Sequence, residues 1–359
     1  MSIALEQHAA EFTQAIIDVY KEEVPTPSFL RSFFTTVSKP SKFVEIWVQR
    51  GTEKIAVDVN RGGGGRRNQF SKESQKVFLA PFYDEYFDAT SLDTYDNMVN
   101  MGAPAELVGS TVRNIGEKLQ TLRDKINRAK ELQASQVFET GVVQLNSGDN
   151  IDFKRKATSI VDPGAYWGTT TTDIESQLIA AGTFLRTDGK SSAKVLNMIM
   201  SSTAWIALKK SDYFTKKANY NNVVLLDINM PIADSTGASY HGQITAGSFI
   251  LNCWTYDETY ETDAGVDTRY LDANNVIILP ATGTRFVMAH AGLPKIIADP
   301  ARAEFNFINN MAAEFMVYNN IDTKRFAHNF GVMSAPIAVP VSIDRIYTLQ
   351  AISAEIEQG

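Results

Sequence analysis

The sequence predicts an α+β chain in which one very long helix joins an extended β excursion to a central domain of mixed helices and strands. Three observations carry that prediction. Pro104–Gly141 places apolar residues at Val108, Val112, Ile115, Leu119, Leu122, Ile126 and Ala129, in alternating steps of four and three that lay one stripe along a helix. Residues 43–60 and 76–90 alternate with period two around a glycine- and arginine-rich tip. Residues 165–295 mix short apolar runs with helical patterns.

Composition bounds the function. The chain has 359 residues, enough for two domains, and 34 basic against 41 acidic residues give a formal net charge of −7. That balance argues against a nucleic-acid binder acting through its whole surface, while leaving room for a local basic patch. Aromatic residues at 10 % exclude a disordered chain. The one cysteine, Cys253 in SFILNCWTY, permits no internal disulfide and reads as a small core hydrophobe. Residues 1–20 lack the basic and apolar regions of a secretory signal, and no run approaches 18 apolar residues, so neither signal nor membrane span is expected.

Residues 3–20 show a thin helical face at Ile3, Phe12, Ile16, Val19 and Tyr20, broken by Pro25 and Pro27. With the aromatic knot Ser28–Phe34 they read as an arm over residues 1–40 that has little core of its own and must pack on the main body or on a neighbouring subunit. Residues 42–60 read as two strands, the first Phe43–Val48 and the second about Ile55–Val59. Arg61-Gly62-Gly63-Gly64-Gly65-Arg66-Arg67 then forms a flexible basic tip, and Lys76–Thr90 returns as an aromatic strand.

The stretch 104–141 follows, with Pro104 suited to the first helical position and Gly141 to the left-handed position past the end. A helix of that length spans roughly 55 Å at 1.5 Å per residue. Its other faces carry Arg113, Glu117, Lys118, Arg123, Asp124, Lys125, Arg128 and Lys130. Periodicity alone fits a coiled-coil segment or a packing helix of an ordinary enzyme as well.

Residues 142–153 form a hairpin across an Asn-Ser-Gly-Asp turn. Helices are expected at 173–186 and 202–214, and strands at 195–200, 223–228, 248–256, 276–280 and 285–292. From 303 the pattern alternates over long stretches and closes on Arg345–Leu349.

No enzyme constellation emerges. The glycine run lacks the Lys-Ser/Thr pair of a P-loop and the spaced glycines of a dinucleotide fingerprint, so a mobile hairpin tip whose arginines grip acidic groups on a neighbouring subunit is the simpler reading. His8, His241, His290 and His328 lie far apart without metal-ligand spacing and are taken as ordinary satisfied core or surface histidines. The acidic group Asp257, Glu258, Glu261, Asp263, Asp267 and Asp272 lacks EF-hand spacing and reads as a solvated hairpin. No cofactor, metal or catalytic residue is expected.

The order of these features resembles one family. Phe29-Leu30-Arg31-Ser32-Phe33-Phe34, Val57–Arg67, Pro81–Thr90 and Met333–Tyr347, with the long helix between, look like the tailed-phage major capsid protein E family, to which the lambda head protein belongs. The resemblance implies the Hong Kong ninety-seven capsid fold. In it, 1–40 is the N-terminal arm and 43–88 the extended loop that reaches over an adjacent subunit. The peripheral domain comprises 89–164 and 296–340 with spine helix 104–141; the axial domain comprises 165–295 and 341–356.

The same resemblance implies pentamers and hexamers of an icosahedral shell around packaged double-stranded DNA, held without sequence-specific binding, in a virion assembled in the host bacterial cytoplasm. It also implies a separate scaffold protein, a portal, a possible decoration protein and no membrane. Some relatives join subunits by a lysine–asparagine bond; Lys72 and Lys76 lie in the loop without an identifiable asparagine partner, so no crosslink is expected. A soluble enzyme with its site in 165–295 is the alternative, and a nucleic-acid module using Arg61, Arg66 and Arg67 is a third. Flanked by a loop and a hairpin, the long helix is expected to lie on a sheet of its own subunit, burying Val112, Ile115, Leu119, Leu122 and Ile126.

Overall fold

A computed structural model describes residues 26–48, 74–90, 104–145, 150–169, 172–214, 232–233, 236–298, 305–322 and 327–353, with backbone alone in parts of some elements, 104–114 among them. The elements begin with a short helix α1 (Phe29–Ser32), strand β1 (Phe34–Ser38), and the antiparallel pair β2 (Phe43–Val48) and β3 (Ser74–Leu79). Strand β4 (Tyr83–Thr90) leads to the long helix α2 (Pro104–Glu139), which at 36 residues spans about 54 Å. Gly141 follows with φ +74°, and its N–H returns to the Gln136 carbonyl at 3.1 Å, closing the helix as a glycine in the left-handed region does.

Strands β5 (Val142–Val143) and β6 (Ile151–Asp152) form the expected hairpin. Then come β7 (Ile160–Val161), helix α3 (Ile174–Thr187), β8 (Val195–Met200) and helix α4 (Ser202–Lys210). Asp173 and Ser201 cap the two helices, their side chains accepting the backbone N–H groups of Ser176 and Ala204. A central sheet runs in the order β7-β21-β14-β8-β11-β10-β9, built from β9 (Ile232–Ala233), β10 (Ala238–Ala246), β11 (Phe249–Tyr256), β14 (Asn275–Pro280) and β21 (Tyr347–Gln350).

Period-two alternation gives this sheet two apolar faces. Leu196, Met198, Met200, Val276 and Ile278 pack with Leu178, Leu185, Trp205 and Leu208 of α3 and α4. Ile199, Ile277 and Leu279 belong instead to a second core with Val137 and Phe138 of the long helix. The acidic stretch forms a small hairpin of β12 (Thr259–Glu261) and β13 (Asp267–Arg269).

Three further sheets complete the fold, two of which pack on the long helix. Strand β15 (Phe286–His290) lies between β1, which runs parallel to it, and β20 (Pro336–Pro340). Strand β16 (Leu293–Ala298) pairs with β17 (Phe305–Met311). Strands β18 (Met316–Asp322), β19 (Ala327–Ser334) and β4 form a third sheet. There Ile115, Leu119 and Ile126 are buried against Phe330 and Val332, with Leu122 half-buried beside them.

Several expectations need correction. Of the two expected supports for the knot 28–34 it takes the main body: Leu30 is fully buried and the Phe34 ring lies tilted 5.3 Å from that of Phe138, while Phe34–Ser38, expected as part of the arm, is a sheet strand of the body. The aromatic return does not stay with the excursion: Tyr83–Thr90 leaves β2–β3 to pair with Ala327–Ser334. Strand β16 was not anticipated. The expected strands at 55–59 and 223–228 fall outside the described residues. No described helix is long and apolar enough to cross a membrane.

Candidate functional site

Past the exposed Lys125 and Arg128, the long helix turns its charged side chains inward. Lys130 and Glu131 are both fully buried, as are Gln133 and Ser135. Lys130 and Asp124, expected on the charged outer faces, are buried instead, whereas Lys125 and Arg128 stay exposed as expected. Each polar side chain reaches a different part of the chain, which satisfies it and ties that part down.

Lys130 Nζ donates to Glu314 Oε1 at 2.7 Å and stands 3.8 Å from the centre of the Phe315 ring. Burial pulls its pKa down to about 8, against the upward pull of Glu314, so the ammonium remains charged at neutral pH. Glu131 accepts three bonds, from the backbone N–H groups of Leu30 at 2.8 Å and Arg31 at 3.0 Å, and from the Tyr256 hydroxyl at 2.9 Å. Burial raises its pKa, and those three bonds act in the opposite direction.

Gln133 donates to the Tyr83 hydroxyl at 3.0 Å and accepts from the Ala338 N–H at 3.0 Å. Ser135 donates to the Tyr270 carbonyl. Glu139 accepts from the Asp272 N–H at 2.6 Å, and burial, with Asp272 adding repulsion, pushes its pKa up to about 7.

Arg155 closes the end of the helix. Its guanidinium donates to the carbonyls of Phe138 (2.7 Å), Glu139 (3.0 Å), Ser159 (3.0 Å) and Ile346 (3.1 Å), and to the hydroxyls of Ser159 and Thr348. The last helical carbonyls lack intrahelical partners, and this fork supplies them. The long helix is thus a hub that binds the entry segment, the central sheet and the outer strands through buried polar contacts.

His290 is also corrected. It is 1 % exposed, lies 4.0 Å from Glu314, and among the described residues neither ring nitrogen has a hydrogen-bond partner. Burial and then the Lys130 charge lower its pKa to about 4, so the ring is neutral. His241 bonds Thr255 at 2.8 Å and His328 packs on Phe330. Cys253 is buried, which pushes its thiol pKa far above the usual range and leaves it inert as a nucleophile. Among the described residues no group of His, Cys, Asp and Glu has the arrangement of a metal site.

The outer surface is different in character. Phe43 pairs directly with Leu79, and these two with Val77 share one face of the β2–β3 ribbon. All three are about half exposed, as are Phe82 and Tyr86. The opposite face is covered: Val44 is buried and Phe78 packs 5.1 Å from Phe153.

Arg61, Gly62, Gly63, Gly64, Gly65, Arg66 and Arg67 lie outside the described residues, and so does the side chain of Val112. Lys130, Glu131, Gln133 and Arg155 were missed as a group. Glu131 lies off the stripe through Ile126 and Ala129, so the periodicity gave no sign that it is buried.

Comparison with known proteins accounts for this architecture. Residues 12–351 match the family described as phage major capsid protein E. A prophage protein of E. coli CFT073 described as a capsid protein has 16 % identity, a TM-score of 0.58, and coverage of 97 % of this chain and 98 % of its own. A phage-related protein from Bordetella bronchiseptica RB50 has 10 % identity, a TM-score of 0.48, and coverage of 94 % and 96 %. The mature capsid of bacteriophage PhiM1 has 10 % identity, a TM-score of 0.45, and coverage of 92 % and 89 %. At such identities the first of these speaks for the fold alone. No match was found among curated proteins.

Proposed function

The chain belongs to the phage major capsid protein E family, whose members are structural capsid proteins rather than enzymes, and from that premise we propose how its parts serve a shell. The long helix acts as the spine. The ribbon Phe43–Leu79, with Arg61–Arg67 at its tip, is the extension that lies over an adjacent subunit. The peripheral domain takes residues 89–164 and 296–340 and the axial domain 165–295 and 341–356; the core under α3 and α4 supports the axial part, while the core at the long helix draws on both, with β15 paired to β1 and β20 at the seam.

The observation that carries this reading is the pair of opposite faces at the excursion. One face is anchored through Val44 and Phe78, while the other leaves Phe43, Val77 and Leu79 half exposed. An isolated subunit gains nothing from ordering such a ribbon over so little core, whereas a neighbour in a shell would cover it. Pentamers and hexamers, packaged double-stranded DNA held without sequence-specific contacts, a separate scaffold protein, a portal, a decoration protein and assembly in the host bacterial cytoplasm complete the proposal.

Deletion of residues 61–68 tests it. The variant is expected to remain soluble and folded by circular dichroism but to form no shells in sedimentation. Shells formed by the variant as readily as by the wild type would remove the tip from the contact.

A further inference from the structure

A cleft of about 500 Å³ opens where the entry segment crosses the long helix. Thr26, Ser28, Arg31, Ser32 and Thr36 form one wall, and the helix presents Arg123, Asp124, Asn127 and Lys130 on the other. Met288 contributes the one apolar lining side chain. A polar recess of this kind does not close by hydrophobic packing.

Arg31 is the decisive residue. Its backbone N–H is fixed by Glu131, and its Nη1 donates to Asn127 Oδ1 at 2.7 Å. Among the described residues no other acceptor meets its guanidinium, and no carboxylate lies within ion-pair distance. The carboxylates nearby are otherwise engaged: Glu131 by three donors, and Glu314 by Lys130. Asp124 lies among Arg31, Arg123 and Arg128, which offset its charge. A planar fork held at one corner presents its remaining N–H groups in the geometry that matches a single oxyanion.

We infer that the cleft binds one compact oxyanion, a phosphate or a carboxylate group, on the free side of the Arg31 guanidinium. The hydroxyls of Thr26, Ser28 and Thr36 supply further donors, that of Ser32 being committed to the Phe29 carbonyl at 2.6 Å. Asp124 and Glu314 in the same recess repel a polyanion, so the site is not suited to a nucleic-acid strand. An anion bound there would bridge the entry segment to the helix and hold the two together, independently of whether the chain assembles.

The test is thermal unfolding of the unassembled full chain in inorganic phosphate and, separately, in glutarate, each against chloride at matched ionic strength. The expected result is a saturable rise in Tm with at least one anion. Phosphate also stabilises proteins by exclusion from their surface, which does not saturate, so saturation is the diagnostic feature. Which of the two anions saturates decides between the two sources of the oxyanion. Arg31→Gln is expected to weaken the apparent affinity at least tenfold, and Arg31→Lys to weaken it less. If Arg31→Gln does not fold, the ³¹P line width of phosphate titrated with wild type and Arg31→Lys gives the same comparison. No saturable rise with either anion, or equal affinity in wild type and the Arg31 variant, overturns the inference.

Discussion

Replacing Arg155 by Met should be among the most damaging single changes in this chain. The guanidinium makes six hydrogen bonds and has no carboxylate partner within ion-pair distance among the described residues. Burial lowers its pKa to about 9, so it is still charged at neutral pH, held by carbonyl dipoles. Met would fill much of the volume but strand the carbonyls of Glu139, Ser159 and Ile346, while Phe138 O keeps the Thr348 hydroxyl at 2.9 Å. Each stranded buried carbonyl costs about 1–3 kcal/mol. Relief of the desolvated charge offsets part of that sum, which leaves a net loss of about 3–5 kcal/mol.

Arg155→Lys keeps the charge but can serve only one or two acceptors, so an intermediate loss of about 2 kcal/mol is expected. The assay is urea unfolding of unassembled subunits followed by tryptophan fluorescence. A loss below about 1 kcal/mol for Arg155→Met would refute the reasoning. So would a lysine variant as stable as the wild type, which would show the fork to be idle.

Two buried groups should titrate with opposite effects on stability. Unfolded His290 takes up a proton near pH 6.5, whereas the folded ring resists until about pH 4, so its contribution is lost as pH falls through that window. Glu139 keeps its proton up to about pH 7 when folded but only to about 4.5 when unfolded, so its contribution is lost as pH rises. Each difference between folded and unfolded state corresponds to about 3 kcal/mol at most. His290→Gln should make stability fall with rising pH between 4.5 and 6.5, and Glu139→Gln should make it rise; parallel urea-midpoint profiles would contradict both assignments. Gly331→Ala should cost about 1–2 kcal/mol, because a Cβ there would meet the Tyr318 ring that crosses the strand to donate to Asp84 at 2.7 Å. Pairing it with Tyr318→Ala should remove most of that cost, and an additive double variant would show the ring is not the obstacle.

Local pattern carried much of this fold and little of its buried polar chemistry. The four-and-three spacing of Ile115, Leu119 and Ile126 is a property of adjacent turns, so the helix and its sheet-facing stripe were legible. The caps at Asp173 and Ser201 and the end at Gly141 are equally local. Strand Phe34–Ser38 was not legible, because what makes it a strand is pairing with Phe286–His290, some 250 residues away. Lys130 looked like part of a solvated charged face, and Glu131 drew no attention, for the same reason: their partners are Glu314, Leu30, Arg31 and Tyr256, none near them in sequence. Arg155 carried no signal of its own, since its acceptors are backbone carbonyls that any residue supplies. The resemblance covered the order of elements, and left the seam between sheets to be found in the structure.

The central claim is that this chain builds a shell from copies of itself, with the excursion at 43–88 reaching across subunits. Electron microscopy of the expressed protein, over a range of concentrations and ionic strengths, tests that claim most directly. Closed shells or rings of five and six subunits are the predicted result, with density for the Phe43–Leu79 ribbon lying on the adjacent subunit. A monodisperse single-subunit particle under every assembly condition would contradict the account.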